Sequence, residues 1–378
     1  MRKIVLLVLI ILLMVFTVFS QETIRKEFNV QKGKKLDFDM RGSGNVNITG
    51  LKNERPAVAI HFKKSSPDQW DIRFNETGEG IEIEIDDKDH KTNRGSRLDV
   101  EIRVPVQFDL KLRIVGGNIS ITNVEGDMIG KILGGNLELR QLKGTIDLKT
   151  TGGNITLKDA ELDGKLRSIG GRVLFENVIG DVEGISIGGD VIHRNVRRSE
   201  SEPNGKTVRI SSQGGDININ DAPEGADVRT TGGSIRIKSA AKFVKAVTTG
   251  GDIALNAVDG YVNAVTTGGD IDVTMTGAAG KKNRDVTLIS TGGDIALAVP
   301  KDLSMDIDIR LTYTKDAKKK YKISCDFPLK IEETDQWDSG DGKGNPRKYS
   351  YGKAKIAGGK HKIRIETVNG NIYLKKSK

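Results

Sequence analysis

Branched apolar residues recur through most of this chain with a period of 18, and the pattern within each period is the same. Gly-Gly pairs begin at Gly116, Gly134, Gly152, Gly170, Gly188, Gly214, Gly232, Gly250, Gly268 and Gly292, so the period is kept at all but two steps, from Gly188 to Gly214 and from Gly268 to Gly292. Counting from the first glycine, position 4 is apolar throughout, as in Ile119, Leu137, Ile155, Val173, Val191, Ile217 and Ile235. Position 6 is apolar in every repeat except one, where His193 stands. Position 9 is a smaller or branched hydrophobe such as Val124, Leu142, Ala160 or Val178. Apolar residues two apart with polar residues between them predict a half-buried strand. A second short apolar run, such as Ile146-Asp147-Leu148, predicts a second strand in each period. Val247 and Val265 break the parity of that second strand, so its faces are not assigned from the pattern.

A strict period with two strands per repeat is the signature of stacked coils. The expectation is an all-β chain forming a single elongated parallel β-solenoid, right-handed and β-helix-like, of 18-residue, two-strand coils with irregular β caps. About 12 coils at the usual strand spacing would span roughly 60 Å. Positions 4, 6 and 9 would point inward as Ile/Leu/Val columns. The two longer steps coincide with polar inserts at 193–206 and 277–285. Ser43-Gly44-Asn45-Val46-Asn47-Ile48 and Asn369-Gly370-Asn371-Ile372-Tyr373-Leu374 fit the same template outside the regular array. Alternating stretches at 98–115, 303–311 and 321–331 predict further strands, and 335–348 predicts a polar loop. The expected divisions are a leader at 1–20, an N-terminal β cap with irregular coils at 21–115, the regular solenoid at 116–311 and a C-terminal β cap at 312–378.

Composition sharpens this picture. Glycine is frequent (45 of 378) and proline scarce (8), which fits regular turns and not a disordered linker. Arg2 and Lys3 precede an apolar run from Ile4 to Phe19, and Val18 and Ser20 suit a signal-peptidase site before Gln21. Export to the periplasm, cell surface or medium is expected, with retention of the run as an anchor the alternative. The lone cysteine, Cys325, lies far from the leader and alternates with Ile323 and Phe327, so it reads as a small buried hydrophobe on a strand. The formal net charge of +9 is mild for this length; it permits contact with anionic envelope polymers, and no nucleic-acid partner is expected.

Repeats of the type TTGGNI (150–155), TTGGSI (230–235), TTGGDI (248–253 and 266–271) and STGGDI (290–295), Val-Pro strands at 104–105 and 299–300, and a closing TVNGNIYLKK (367–376) resemble the bacterial β-strand-repeat family named "putative adhesin", a domain of unknown function. The resemblance covers about 27–376. It implies an exported or envelope-facing parallel β-solenoid, and supplies no catalytic or binding residues to transfer.

Each chemical candidate competes with a structural role. The third position of the repeat includes Asp252, Asp270 and Asp294, which would stack as a like-charge column. A calcium roll needs several converging oxygen ligands in every coil, and Arg172 and Ser234 occupy this position in others. The expectation is a glycine corner with positive φ whose Asn or Asp bonds to backbone, leaving weak cation binding in the aspartate column as a testable alternative. Adjacent threonines at positions 17 and 18 (Thr230 and Thr231, Thr248 and Thr249) point to opposite faces and make no flat ice-binding array. Ser239-Ala-Ala-Lys242 mimics an S-x-x-K motif but falls in a turn without its partners. No Walker loop, HExxH or Cys/His cluster is present, and no cofactor is expected. Basic residues gather at the inserts: Arg194, Arg197 and Arg198 in the first, Lys281, Lys282 and Arg284 in the second, with Lys318, Lys319 and Lys320 a third group. These are the candidates for contact with an anionic glycan or envelope surface. The functional expectation is a non-enzymatic exported envelope or cell-surface protein, adhesin-like or scaffolding. The alternatives are an envelope-stress or sensing module that binds a protein or peptide, and a carbohydrate-active β-helix enzyme.

Overall fold

The computed structural model describes residues 22–63, 65–88, 97–197, 208–277, 282–317, 320–339 and 345–377. The expected leader at 1–20 lies outside them. The described chain is all-β apart from a single 3-10 turn at Pro67–Gln69. Its strands form two ladders, and each regular coil gives one strand to each.

In the first ladder, the strand that follows every glycine corner lies parallel to its copy in the next coil. Leu137 pairs with Ile155, Ile155 with Val173 and Ile253 with Ile271, each exactly one period apart. Register survives the inserts: Val191 pairs with Ile217, and Ile271 with Ile295. In the second ladder Lys143–Thr150 lies between Glu125–Ile132 and the 161–168 half of Ile155–Ser168, again parallel. The result is a β-solenoid-like stack.

The ends are threaded out of sequence order. Lys34–Leu51 serves both ladders: its 34–41 half pairs with Gly80–Asp87 on one side and Phe108–Gly116 on the other. Its 44–51 half lies between Arg97–Pro105 and Ile119–Thr122. The outer strands Thr23–Glu27, Ala57–Lys63 and Trp70–Glu76 turn antiparallel. At the far end, Ile372 pairs with Ile295 and Ile363 with Val286, so the last coil of the chain sits directly on the last regular coil. Met305–Thr314 then stacks beyond it, followed by antiparallel Arg347–Ile356 and Lys330–Glu333. Antiparallel end strands stop the repetitive pairing that an open parallel ladder would invite.

The core fills as the alternation predicts. Position 4, 6 and 9 side chains such as Ile155, Leu157 and Ala160 are buried. The second strand, unassigned by pattern, buries positions 13, 15 and 17, as in Ile146, Leu148 and Thr150. Val247 and Val265 at position 16 therefore face outward and are half-buried. Volume is balanced across the thin core. Phe175 is the bulkiest position-6 residue, and Gly184 faces it, where an added Cβ would come within 2.9 Å of the ring. Close packing leaves no room for both a ring and a side chain there.

Candidate functional site

The recurring corner is where polar chemistry concentrates, and three in-register columns build it. The first is the second glycine of each pair. A Cβ on Gly117, Gly135, Gly153, Gly171, Gly189, Gly215, Gly233, Gly251, Gly269, Gly293 or Gly370 would lie 1.6 to 2.5 Å from the carbonyl oxygen of the matching glycine one coil back. Close backbone approach between coils, and not left-handed φ, is what demands glycine. Only Gly117 and Gly135 of this column have positive φ, which corrects the expected reason for the motif. The first glycine is under less pressure: at Gly250 the nearest atom to an added Cβ is 3.3 Å away. Ser43 and Asn369 occupy this place in the end coils.

The second column is a line of buried hydroxyls at position 17: Thr150, Ser168, Ser186, Ser212, Thr230, Thr248, Thr266, Ser290 and Thr367. Each donates to the carbonyl of the second glycine one coil back, at 2.7 to 3.3 Å. Most also accept the N–H of the second glycine in the corner they enter, as Ser168 does from Gly171 at 2.8 Å and Thr248 from Gly251 at 3.3 Å. Gly117 and Gly135 follow Ile114 and Ile132, which have no hydroxyl. Those are the two corners of the regular array with positive φ. Sequence reading noted the position-17 threonines but not their burial or their role at the glycine carbonyl; the signal was the restriction of position 17 to Thr or Ser from Thr150 onward.

The third column contains the aspartates singled out above. Asp252 Oδ1 accepts the N–H of Asp270 at 2.9 Å, and Asp270 Oδ1 accepts that of Asp294 at 2.7 Å. Asp294 Oδ1 accepts that of Asn371 at 2.7 Å. Asparagines play the same part lower in the stack, where Asn118 Oδ1 takes the Asn136 N–H at 3.1 Å and Asn136 Oδ1 takes the Asn154 N–H at 2.9 Å. The column is a side-chain splint that satisfies one backbone donor per coil. Burial works against the Asp216 carboxylate, yet the Ser234 amide and Arg236 guanidinium outweigh it and hold its pKa below the usual carboxylate value. Among the described residues, no three His, Cys, Asp or Glu side chains are gathered as a metal would require.

The basic inserts separate on inspection. Arg194 stands on Val191–Arg197 with its side chain about half exposed and 4.0 Å from Glu176. Arg197 ends the same strand, and Arg198 and Lys281 lie outside the described residues. Lys282 is exposed but pairs with Asp259 at 2.7 Å. Arg284 is not a surface cation. It is 2% exposed, with Nη2 2.5 Å from Asp259 Oδ1 and Nη1 donating to the Thr276 carbonyl at 2.5 Å. Its backbone N–H points to His361 Nδ1 at 3.4 Å. A buried guanidinium needs such partners to offset its lost hydration. Arg284 therefore fastens the second insert to the stack and to the C-terminal excursion, and leaves the set of polymer-binding candidates. Of the third basic group, Lys318 and Lys319 lie outside the described residues, and Lys320 stands 3.9 Å from Glu333.

The remaining candidates have local roles. Ser239 donates to Asp221 at 2.5 Å, and Lys242 pairs with Glu224, so the S-x-x-K residues tie one coil to the coil before. Cys325 is half-buried on Ile323–Cys325, and burial pushes its thiol pKa up. His193 lies wholly in the core with its ring 4.6 Å from that of Phe175, and neither ring nitrogen has a hydrogen-bond partner. Burial drives its pKa down to about 3.

The glycine column, hydroxyl column and corner amides lie within a stretch that matches a family profile. The profile described as Toastrack DUF4097 matches residues 34–375. The chain belongs to the Toastrack DUF4097 family. No curated protein matches it. Among solved structures, one described as a putative cell adhesion protein from Clostridium sporogenes ATCC 15579 is 12% identical, covering 95% of this chain and 100% of that one, with a TM-score of 0.21. A putative adhesin from Parabacteroides distasonis ATCC 8503 is 13% identical over 74% of this chain and 98% of its own, with a TM-score of 0.37. A structure from the same organism described as a putative lipid binding protein is 10% identical, covering 95% and 98%, with a TM-score of 0.26.

Proposed function

We propose that this Toastrack chain is a non-enzymatic, exported protein of the cell envelope or surface, adhesin-like or scaffolding, that works by presenting ordered rows of side chains to anionic surface polymers. The leader-like sequence at 1–20 supports export. We take the coils to wind right-handed, as parallel crossovers do. One observation carries the reading: the polar chemistry that recurs from coil to coil is engaged by the stack itself. Aspartate and asparagine oxygens hold the next coil's amides, and Thr and Ser hydroxyls hold glycine carbonyls. What remains for recognition is the outward side chains and the inserts. Arg194 is the described cation best placed at the first insert, with Arg197 and Arg198 following it in sequence.

The test is binding of purified protein to anionic envelope polymers, run with a reducing-sugar assay on the same polymers. Substituting glutamine at Arg194, Arg197 and Arg198 should weaken binding while no sugar ends are released. Unaltered binding by the triple variant would remove the first insert from the proposal, and released ends would favour the carbohydrate-active alternative. A second reading has one observation in its favour. Lys330–Glu333 closes the second ladder as an edge strand with all four residues exposed, Ile331 at 50%. Such an edge accepts an extended peptide, and a pull-down with and without a proline at Ile331 tests it.

A further inference from the structure

The outer side of the corner changes character halfway along the stack. At position 18 the early coils expose Val115 (46%), Leu133 (59%), Ile169 (42%) and Ile187 (41%), with Thr151 between Leu133 and Ile169. These positions are in register. The Leu133, Thr151, Ile169 and Ile187 amides donate in turn to the Ile114, Ile132, Thr150 and Ser168 carbonyls one coil back, at 3.0 to 3.2 Å. At about 4.8 Å per coil, the five positions make a row roughly 19 Å long, apolar at four of them and interrupted by Thr151. In later coils the same position is Gln213, Thr231, Thr249, Thr267 and Thr291.

Cations run beside the ridge. Arg113 pairs in register with Lys131, Lys131 with Lys149, and Lys149 with Arg167, two positions before the ridge residues. Arg113 is held by Asp39 at 3.2 Å, and Arg167 is 3.8 Å from Asp147. Lys131 and Lys149 are exposed and have no carboxylate partner among the described residues. Ile129, 50% exposed, extends the apolar surface on the other side of Lys131. Across the corner from Val115, Leu133, Thr151 and Ile169, position 3 is Asn118, Asn136, Asn154 and Arg172; across from Ile187 it is Asp190, whose Oδ1 accepts the Asp216 N–H at 2.9 Å, and later coils carry Asp216, Asp252, Asp270 and Asp294. Nearby Glu183 is taken by Lys165 at 3.2 Å.

We infer that this face, Val115 to Ile187 with Lys131 and Lys149, docks on an anionic lipid bilayer. Exposed branched side chains interleaved with unpaired lysines are what an anionic interface accepts on both counts, headgroups taking the ammonium groups and the acyl boundary taking the apolar tips. A soluble anionic polymer would engage the lysines and leave the ridge in water. A second copy of this chain fits less well. A ridge one residue wide offers only about half of the roughly 800 Å² per partner of a stable interface, and two such faces would bring the lysine rows together. The proposal deepens the envelope-facing reading by naming a lipid surface. Polymer binding measured on the same preparations keeps a failure of one apart from a failure of the other.

The experiment is co-sedimentation of the exported protein with vesicles of phosphatidylcholine alone and with vesicles in which one lipid in three is phosphatidylglycerol, against two variants. One carries Leu133→Thr, Ile169→Thr and Ile187→Thr; the other Lys131→Gln and Lys149→Gln. Threonine is the residue later coils place at position 18, and circular dichroism melts check that both variants remain folded. All three proteins share one N-terminus, so any contribution of the leader cancels. Expected are binding to the anionic vesicles that weakens with salt, a loss of at least tenfold in the threonine variant, and about fivefold per lysine removed. No binding to anionic vesicles, equal binding to neutral ones, or a folded threonine variant that binds like the parent would overturn the inference.

Discussion

Replacing His193 by leucine separates the role of the repeat from the one residue that departs from it inside the core. Position 6 is Leu139, Leu157, Leu255 or Leu297 elsewhere, so leucine is a side chain the coil already accommodates. In the parent, the imidazole is buried with both nitrogens unpartnered. Leaving a buried polar group unsatisfied costs about 1–3 kcal/mol, so His193→Leu should stabilise at pH 7 by an amount of that order, less any packing lost against Phe175. The pH dependence is the sharper test. Burial lowers the pKa from 6.5 to about 3. The unfolded chain then binds a proton below pH 6.5 that the folded chain refuses until about pH 3. The penalty is absent above 6.5 and grows as pH falls through that window. One pH unit is worth about 1.4 kcal/mol, so at pH 4.5 the parent should have lost about 2.7 kcal/mol through this residue alone. Urea denaturation of parent and variant at pH 7.0 and 4.5, compared at unchanged m, measures the difference. Other groups, including His361, whose pKa burial and Lys360 also lower, titrate in both proteins and cancel. The stability gap should widen by about 2–3 kcal/mol on acidification. A gap that stays constant would refute the argument, because it would mean His193 is hydrated or partnered in the folded protein.

The corner columns give three further tests. Thr248→Val should cost about 1–3 kcal/mol, because the Gly233 carbonyl loses its 2.7 Å donor in a buried site, whereas Thr248→Ser should be near neutral; chemical denaturation distinguishes them. Gly251→Ala should cost more than about 3 kcal/mol or prevent folding, since its Cβ would meet the Gly233 oxygen at 2.1 Å, while Gly250→Ser should fold, as read by circular dichroism melts. Asp270→Asn keeps the oxygen that accepts the Asp294 amide and removes one charge between Asp252 and Asp294, so it should hold or slightly raise the melting temperature. Asp270→Ala should lower stability by about 1 kcal/mol, and millimolar Ca²⁺ against EDTA should leave the parent melt unchanged.

The period of 18 and the two-strand coil were legible because core burial imposes them on every coil alike. Ile155 and Leu157 announce an inward face by alternation alone, and Ser43–Ile48 announces a coil outside the regular array by matching the same template. The out-of-order threading was not legible. Nothing in TVNGNIYLKK says that it stacks on residues 286–299 and not on the strands that precede it, because pairing across so long a stretch of chain is decided by which open edge is available. The second strand was ambiguous for a different reason. Pattern reading assigns apolar residues inward, yet Thr248 is inside and Val247 outside, because the hydroxyl is needed at the glycine carbonyl. The glycines were recognised for a wrong reason: positive φ and close approach leave the same mark in a sequence, and only the coil-to-coil distance tells them apart. Arg284 shows the same limit among charges. Three basic residues in a polar insert read alike, and only Asp259, the Thr276 carbonyl and His361 show that one of them is turned inward.

The placement of Arg284 bears on how inserts in such a stack should be interpreted. A loop that bulges from a regular array invites a ligand-binding reading, since the array itself has no reason to keep it. Here the second insert interrupts the coil just where the C-terminal excursion must be received. Val286–Ser290 pairs on its far side with His361–Val368, a strand from the end of the chain. The insert delivers Arg284 to that junction, and Asp285 Oδ1 accepts the Lys362 N–H at 2.9 Å. Breaking the pair from one side, as in Arg284→Met, would remove the donor to the Thr276 carbonyl and leave the partly exposed Asp259 paired with Lys282, a change that should cost about 1–3 kcal/mol. Such a loss would loosen the closing coil first, because that coil is held by its stacking neighbours and by this junction, and not by chain continuity. The described part of the second insert, Lys282 to Asp285, thus serves assembly of the fold. The surfaces that the stack does not need for itself are the ones on which the two proposals rest: the first insert around Arg194, and the ridge from Val115 to Ile187, whose outward side chains differ from those of the later coils although the strands beneath them pair in the same way.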